Sequence, residues 1–343
     1  MTADFDVTVV GAGPVGLAAA IEARMLGLTV AVIEPRTAAI DKACGEGLMP
    51  GALPALARLG VDPAGHPLSG VSYRSGTTRV DHLFGGGAAG RGVRRTTLHS
   101  ALSARAAELG VDFVPRRVDS LEQDDSGVTA AGIRSRYLLG ADGLHSTVRR
   151  LTRLERPVAQ RARRFGLRRH YSMAPGGDLI EVYWTKTVEA YVTPVGDDLV
   201  GIAMLGPQGT NFEQALAEIP ELAARVAGRR PASDLRGAGP FRQRTTARSL
   251  GRVMLVGDAS GYVDAITGEG IRVGLAQARA AIDCVDADAP GRYEREWSRR
   301  TRDFRLLTAG LVAAANSPLR ARIVPTAAAL PGLFGAVVDR LAR

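Results

Sequence analysis

Asp6-Val7-Thr8-Val9-Val10 runs directly into Gly11-Ala12-Gly13-Pro14-Val15-Gly16, and the stretch continues through residues 17–26 (LAAAIEARML) and 29–33 (TVAVI) to Glu34. The first five residues have the apolar, β-branched character of a short buried strand. The alanine-rich run after the glycines predicts a helix, and residues 29–33 a second strand ended by an acid. Strand, glycine turn, helix, strand and acid, in this order, make a dinucleotide-binding crossover. Gly11 permits the tight turn, Gly13 lets the backbone approach a pyrophosphate, and Gly16 lets the helix lie close to the strand. The helix start offers unpaired N–H groups and partial positive charge to the phosphates. Glu34, eighteen positions after Gly16, is placed to accept both hydroxyls of an adenosine ribose. This motif alone serves NAD or FAD equally.

A second signature separates the two. Residues 252–256 (RVMLV) predict a strand, Gly257-Asp258-Ala259-Ser260-Gly261 follows it, and Thr267-Gly268-Glu269-Gly270 opens a helix predicted over 271–285. An Asp at the end of a buried strand suits the ribityl hydroxyls of a flavin. A helix start aimed at the flavin's electron-rich edge would stabilise the reduced form. The spacing around Ser260 is GxxSG, not the GxSxG of a nucleophile elbow, so no serine nucleophile is expected.

The 343 residues suffice for two domains, or for one domain with a large insertion, and 45% hydrophobic content predicts a globular, soluble chain. Residues 1–10 already read as the first strand, which leaves no room for an N-terminal signal. Two cysteines, Cys44 and Cys284, provide neither a disulfide framework nor a metal cluster, and a cytoplasmic setting is expected. The net charge of +9 comes almost entirely from arginine, with Lys42 and Lys186 as the lysines. Basic clusters over 161–169 and 299–305 lack an interleaved aromatic platform or a recognisable binding module, so no nucleic-acid partner is expected. Anionic cofactors such as NADPH, or anionic lipid headgroups, are better uses of the charge.

Further along the chain, helices are expected at 51–59 and from Arg95 through Leu109, with strands over 71–83, at 111–114, on both sides of the Asp124–Gly127 turn, and at 137–139. Residues 85–92 read as a glycine-rich loop. Strand-like runs at 179–184, 189–195 and 199–205 give residues 152–247 the character of an inserted antiparallel sheet. The expected fold class is α/β: a Rossmann-like nucleotide-binding domain (1–70, 93–151 and 248–290), a substrate domain (71–92 and 152–247) and a helical C-terminal region (291–343). No uninterrupted apolar run is long enough to span a bilayer.

GAGPVG, RTTLHSAL (residues 95–102), GADGLHSTVR (140–149) and GDASGYVDAITGEGI (257–271) together resemble the flavoprotein monooxygenase and geranylgeranyl reductase superfamily. The resemblance covers most of residues 5–285. It implies that Gly11, Gly13, Pro14, Val15, Gly16, Glu34, Pro35 and Arg36 hold the ADP half of FAD, and that Cys44, Gly45, Arg95, Asp142 and Gly143 lie along the cofactor. Gly257 and Asp258 would meet its centre, and Gly268, Glu269, Gly270 and Ile271 the ring. The loop Lys42-Ala43-Cys44-Gly45-Glu46-Gly47-Leu48 and the TGEG sequence look like the geranylgeranyl reductase branch, which is similar to hydroxylases of lipophilic phenols. A Trp-rich halogenase signature is absent, and the segment Tyr191-Val192-Thr193-Pro194 only partly matches the prenyl reductases.

Two reactions are therefore expected candidates, both with NADH or NADPH as reductant: hydroxylation of a lipophilic aromatic by O₂, and reduction of a prenyl double bond. A non-enzymatic flavin-binding interaction or sensor protein is a third class. Because flavin carries the hard chemistry, the protein need supply only orientation, dryness and a few polar groups. Cys44 and His170 are the catalytic candidates, the first as a soft residue in the glycine-flanked loop and the second as a group that polarises a phenol. His99 and His145 are expected to pack or cap. Tyr183, Trp184 and Tyr191 are expected on the pocket wall. The apolar segments 304–315 and 323–338, punctuated by arginines, read as helices that pack over the core or as a face in weak peripheral contact with anionic membrane.

Overall fold

The computed structural model describes residues 3–159 and 163–342; Arg161 of the first basic cluster lies outside them. Two sheets organise the chain. In the first, Asp112–Val114, Val30–Ile33, Phe5–Val10, Ile133–Gly140 and Val253–Leu255 lie side by side in that order, all parallel. Their near-continuous apolar sequences match a sheet buried on both faces. Helices Pro14–Met25, Arg95–Glu108 and Gly270–Asp286 pack into one shared apolar core. The hairpin Leu121–Gln123 with Val128–Ala130 joins the core on the opposite side. The first helix starts at Pro14, earlier than the apolar run suggested, because proline is well accommodated in a first helical turn.

The second sheet has the order Arg236–Ala238, Phe165–Ser172, Leu199–Gly206, Glu189–Gly196, Leu179–Trp184, Gly70–Ser75, Thr78–Leu83. It is antiparallel except where Leu179–Trp184 meets Gly70–Ser75 in parallel, so the expected antiparallel insertion is a mixed sheet that recruits an early hairpin. Side chains alternate between its faces. Tyr183, Ala190, Val192, Val200 and Ile202 pack beneath the helices Phe212–Ala217 and Pro220–Val226, whereas Ile180, Val182 and Leu205 face the other way.

Two segments depart from the sequence reading. Phe165–Ser172 is a strand that basic residues had concealed. The expected loop at 85–92 contains a tight turn at Gly85–Gly87 and a strand, Gly90–Gly92, paired with Gly47–Leu48 and His66–Leu68. Glycine is required in that strand, since a Cβ on Gly92 would sit 1.6 Å from the Pro194 carbonyl oxygen. The chain ends in the long helix Tyr293–Ala315, a turn at Pro318–Arg322, and helices Ile323–Ala329 and Pro331–Ala342.

Candidate functional site

Three motifs far apart in sequence follow the carboxyl ends of three adjacent parallel strands. Phe5–Val10 leads into Gly11, Ile133–Gly140 into Ala141-Asp142-Gly143, and Val253–Leu255 into Gly257-Asp258. In an open parallel sheet this edge is where ligands bind. Gly11 has φ +104°, and a Cβ there would lie 2.7 Å from the Ala141 carbonyl oxygen, so the first two motifs touch. A Cβ on Gly16 would come within 1.9 Å of the Gly11 oxygen, whereas one on Gly13 would meet nothing within 4 Å. Gly16 is thus a packing glycine, and Gly13 keeps a cradle open. The helix behind it begins with Pro14 and no side-chain cap, so its positive end faces that space.

Charged groups line the same crevice. Glu34 Oε2 accepts a hydrogen bond from the Ala12 amide at 3.2 Å, and Arg36 Nε donates to Oε1 at 2.7 Å. Burial pushes the Glu34 carboxyl up, but these donors outweigh it and hold the group below its ordinary value. Asp258 lies at the crevice with its carboxyl pushed up by burial and drawn back by Arg95, Lys42 and Arg149. Its carboxylate accepts no hydrogen bond among the described residues. Arg95 Nε is buried without a partner. Lys42 is lowered by desolvation and by Arg36 and Arg95. An open glycine cradle, an uncommitted carboxylate and an unpartnered arginine nitrogen fit a dinucleotide with an anionic middle and hydroxylated arms.

Asp142 lies on the cavity wall, but its carboxylate is engaged elsewhere. It accepts from Ser146 Oγ at 2.5 Å and from the Thr147 and Val148 amides at 2.7 and 3.1 Å, and so caps helix Thr147–Leu151. The fully buried Arg149 of that helix donates to the carbonyls of Leu144 and Ala259 at 2.7 and 3.2 Å, tying the second motif to the third. Sequence reading left Arg149 without a role, although it was visible at the end of the GADGLHSTVR run.

Pro14, Val15, Pro35, Cys44, Gly45, Gly143, Gly257, Gly268, Gly270 and Ile271 also line the cavity of about 1030 Å³ that opens from the strand ends toward the second sheet. Pockets for single drug-sized ligands span roughly 300–1,000 Å³, so this cavity lies at the top of that range. Tyr191 is on the wall, its hydroxyl donating to the Ile266 carbonyl at 2.7 Å. Tyr183 and Trp184 are not. Tyr183 points to the opposite face of the sheet, where its hydroxyl meets Arg74 and Glu181, and Trp184 packs against Tyr73 and Arg320. Tyr73, Phe241 and Tyr262 take the expected aromatic places instead.

Cys44 and His170 flank a group that sequence reading passed over. Glu46 is buried, with φ +59°. Its Oε1 accepts from the Arg95 amide at 2.9 Å, and its Oε2 accepts from His170 Nε2 at 2.6 Å. Arg168 can only donate, and its NH1 lies 3.1 Å from His170 Nδ1, so the ring proton belongs on Nε2. His170 is fully buried and does not line the cavity; it stands behind Glu46. Cys44 Sγ is on the wall and accepts from the Glu46 amide at 3.4 Å, while Thr193 Oγ1 donates to the Gly45 carbonyl at 2.8 Å. His99 bonds the Ala12 carbonyl and His145 that of Gly239. Cys284 is buried in the first core and is free, as is Cys44.

Glu269, just before helix Gly270–Asp286, is buried, pairs with Arg272 through Oε2, and has Oε1 unpartnered. Burial pushes its carboxyl up to about 7 and that of Asp264 up to about 6, against the pull of Arg272 and Arg164. From pH ~4 to pH ~7 the folded chain therefore holds protons that the unfolded chain has lost, and stability falls as pH rises. Flavin-free protein is expected to melt higher at pH 5.5 than at pH 8, by roughly 1–3 kcal/mol in stability. Glu269→Gln should flatten the slope, and an unchanged slope in that variant removes Glu269 as its source.

The family model described as "FAD binding domain" matches residues 4–283. A rifampicin monooxygenase of Streptomyces venezuelae is 34% identical over 43% of this chain, a match spanning a third of that protein's length (33%). A menaquinone reductase of Mycolicibacterium smegmatis is 27% identical over 85% of this chain and 79% of its own. The solved structure of the flavin-dependent brominase Bmp2 superposes with a TM-score of 0.79 at 19% identity, over 98% of this chain and 93% of that one, a likeness of fold. With the strand-end crevice that fits the cofactor, these findings place the chain in the FAD-binding-domain family of FAD-dependent oxidoreductases.

Proposed function

We propose that the chain is an NAD(P)H-dependent monooxygenase that hydroxylates a lipophilic aromatic such as a phenolic polyketide or alkyl-phenol. The observation that carries this reading is the cavity beyond the cofactor cradle. Its walls are Val71, Ile180, Val182 and Leu205 together with the rings of Tyr73, Tyr191, Phe241 and Tyr262. Aromatic rings stack or meet edge-on with a flat substrate, and the aliphatic remainder suits an alkyl chain. When bound, FAD supplies the redox chemistry, taking two electrons from a nicotinamide and passing them on to O₂ or to substrate. The residues supply dryness and orientation. Tyr191 has its hydroxyl committed to a backbone carbonyl, and burial pushes the Tyr73 phenol up to about 12, so both stay neutral at physiological pH. Arg36, Lys42, Arg116 and Arg117 line the same cavity and favour an anionic reductant.

The matches over 85% of this chain to a menaquinone reductase and over 88% to a digeranylgeranylglycerophospholipid reductase, with Cys44 on the cavity wall, favour a second reading, reduction of a prenyl double bond. The balances differ: hydroxylation consumes one O₂ and one NAD(P)H per oxygen inserted and releases water, whereas reduction adds two hydrogens and needs no O₂. Stopped-flow flavin reduction with both nicotinamides, across alkyl-phenols, quinones and prenyl lipids, is expected to accelerate with a phenol and to couple oxygen uptake to a product one oxygen heavier. Anaerobic turnover with a gain of two hydrogens establishes the reductase instead. Failure of either nicotinamide to bleach the flavin with any of the panel points to a non-enzymatic flavin-binding role.

A further inference from the structure

Helix Pro331–Ala342 is apolar on both sides. Val338 and Leu341 line the cavity, and Phe334 packs against Tyr73 with ring centroids 4.9 Å apart. On the opposite side Leu333, Ala336, Val337 and Arg340 are exposed at the spacing of a single helical face, Leu333 by 61%. The long helix Tyr293–Ala315 repeats this pattern with Leu306, 63% exposed, followed by Ala309, Gly310 and Ala313. Arg340 pairs with Asp303, which joins the two exposed faces: Val337 is one turn from Arg340, and Leu306 one turn from Asp303. Leu319, in the intervening turn, is 58% exposed.

The charge around these leucines is net positive: Asp303 pairs with Arg340 and Glu189 with Arg320, which leaves Arg305, stacked on Trp297, and the exposed Arg322 without an acidic partner among the described residues. Between Phe304 and Ala342 the charged residues are Arg305, Arg320, Arg322, Arg340 and Asp339, and Asp339 bonds His82 Nε2 and the Gly85 amide. A second copy of the chain would bring a face of the same net sign and so offers no complementary charge. An anionic bilayer is complementary in both respects, apolar below the headgroups and negative at them. Among the described residues no single helix is long and apolar enough to cross a membrane, and Pro318–Ala329 and Pro331–Ala342 are bent by 103°. Twelve helical residues reach about 18 Å, short of a hydrocarbon core of roughly 30 Å. Such helices suit lying along an interface.

We propose that the exposed face of these C-terminal helices docks on an anionic phospholipid surface, with Val338 and Leu341 on the inner side of the same helix forming the wall past which substrate leaves the bilayer. The route rests on the reading of a lipophilic substrate; the docking does not, and it is measured without turnover. FAD-loaded protein is sedimented with vesicles of phosphatidylcholine alone or containing phosphatidylglycerol. Binding is expected to the anionic vesicles only and to weaken with salt. Arg322→Glu should lower it at least about fivefold, given about 1 kcal/mol per basic residue near such a surface, and the double variant Leu333→Glu/Val337→Glu by more than about tenfold. Unchanged flavin content and melting temperature keep both variants interpretable. Absence of binding at low salt, equal binding to neutral vesicles, indifference to both variants, or a concentration-dependent dimer lost on Leu333→Glu would each overturn the proposal.

Discussion

Gly13→Asp is expected to yield a folded protein that purifies colourless. A Cβ at this position meets nothing within 4 Å, so the chain has no steric reason to unfold. The new carboxylate instead stands in the cradle before the uncapped start of helix Pro14–Met25, where the pyrophosphate would approach. Two like charges about 4 Å apart repel by roughly 4 kcal/mol at an effective dielectric near 20, which approaches a thousandfold in affinity. The neighbouring Gly16→Val provides the contrast. Its Cβ would need to occupy space 1.9 Å from the Gly11 oxygen, so that variant is expected to lose the fold itself. Flavin released on denaturation, measured alongside the melting temperature, separates the two effects. Parental flavin occupancy in Gly13→Asp would remove the cradle from the site.

The first crossover was legible because its logic is local: Asp6 to Glu34 encode strand, turn, helix and acid within one short segment, each with its own residue preferences. The convergence of the three motifs on one sheet edge was legible only through their order, since no residue in the GADG run announces that it touches Gly11. Asp142 shows the limit of carrying a role by position. It sits on the cavity wall, and its oxygens are used in capping Thr147–Leu151. Phe165–Ser172 was hidden for a different reason. Inward positions of a strand are normally apolar, and here two of them, Arg168 and His170, are buried and charged or polar because Asp41, Glu46 and Ser233 satisfy them. Glu46 escaped notice because an acid in a glycine-rich loop reads as solvent-exposed, and its partners, the Arg95 amide and His170, arrive from 49 and 124 residues away.

Glu46 carries the second large effect. One side chain binds the start of helix Arg95–Glu108 through the Arg95 amide, and the second sheet through His170, with Arg168 adjacent. Glu46→Ala leaves the buried His170 Nε2–H and the Arg95 amide without their acceptor while Arg168 keeps Asp41, a loss that typically costs about 1–3 kcal/mol, and the urea midpoint should fall accordingly. Glu46→Gly tests whether the backbone matters separately: glycine relieves the φ of +59° at a gain of order 1 kcal/mol, so it should be the milder of the two while remaining well below the parent. His170 then has two distinguishable roles. A direct catalytic base would lose turnover on His170→Gln with stability intact. His170 is fully buried behind Glu46, and the role of a positioning residue that this placement favours predicts that His170→Gln lowers stability and turnover together. The paired variant Glu46→Gln/His170→Gln should then cost little more than the worse single change, because each substitution already breaks the same bond. Additive losses in that cycle would show that the two residues act independently and would return His170 to the catalytic candidates.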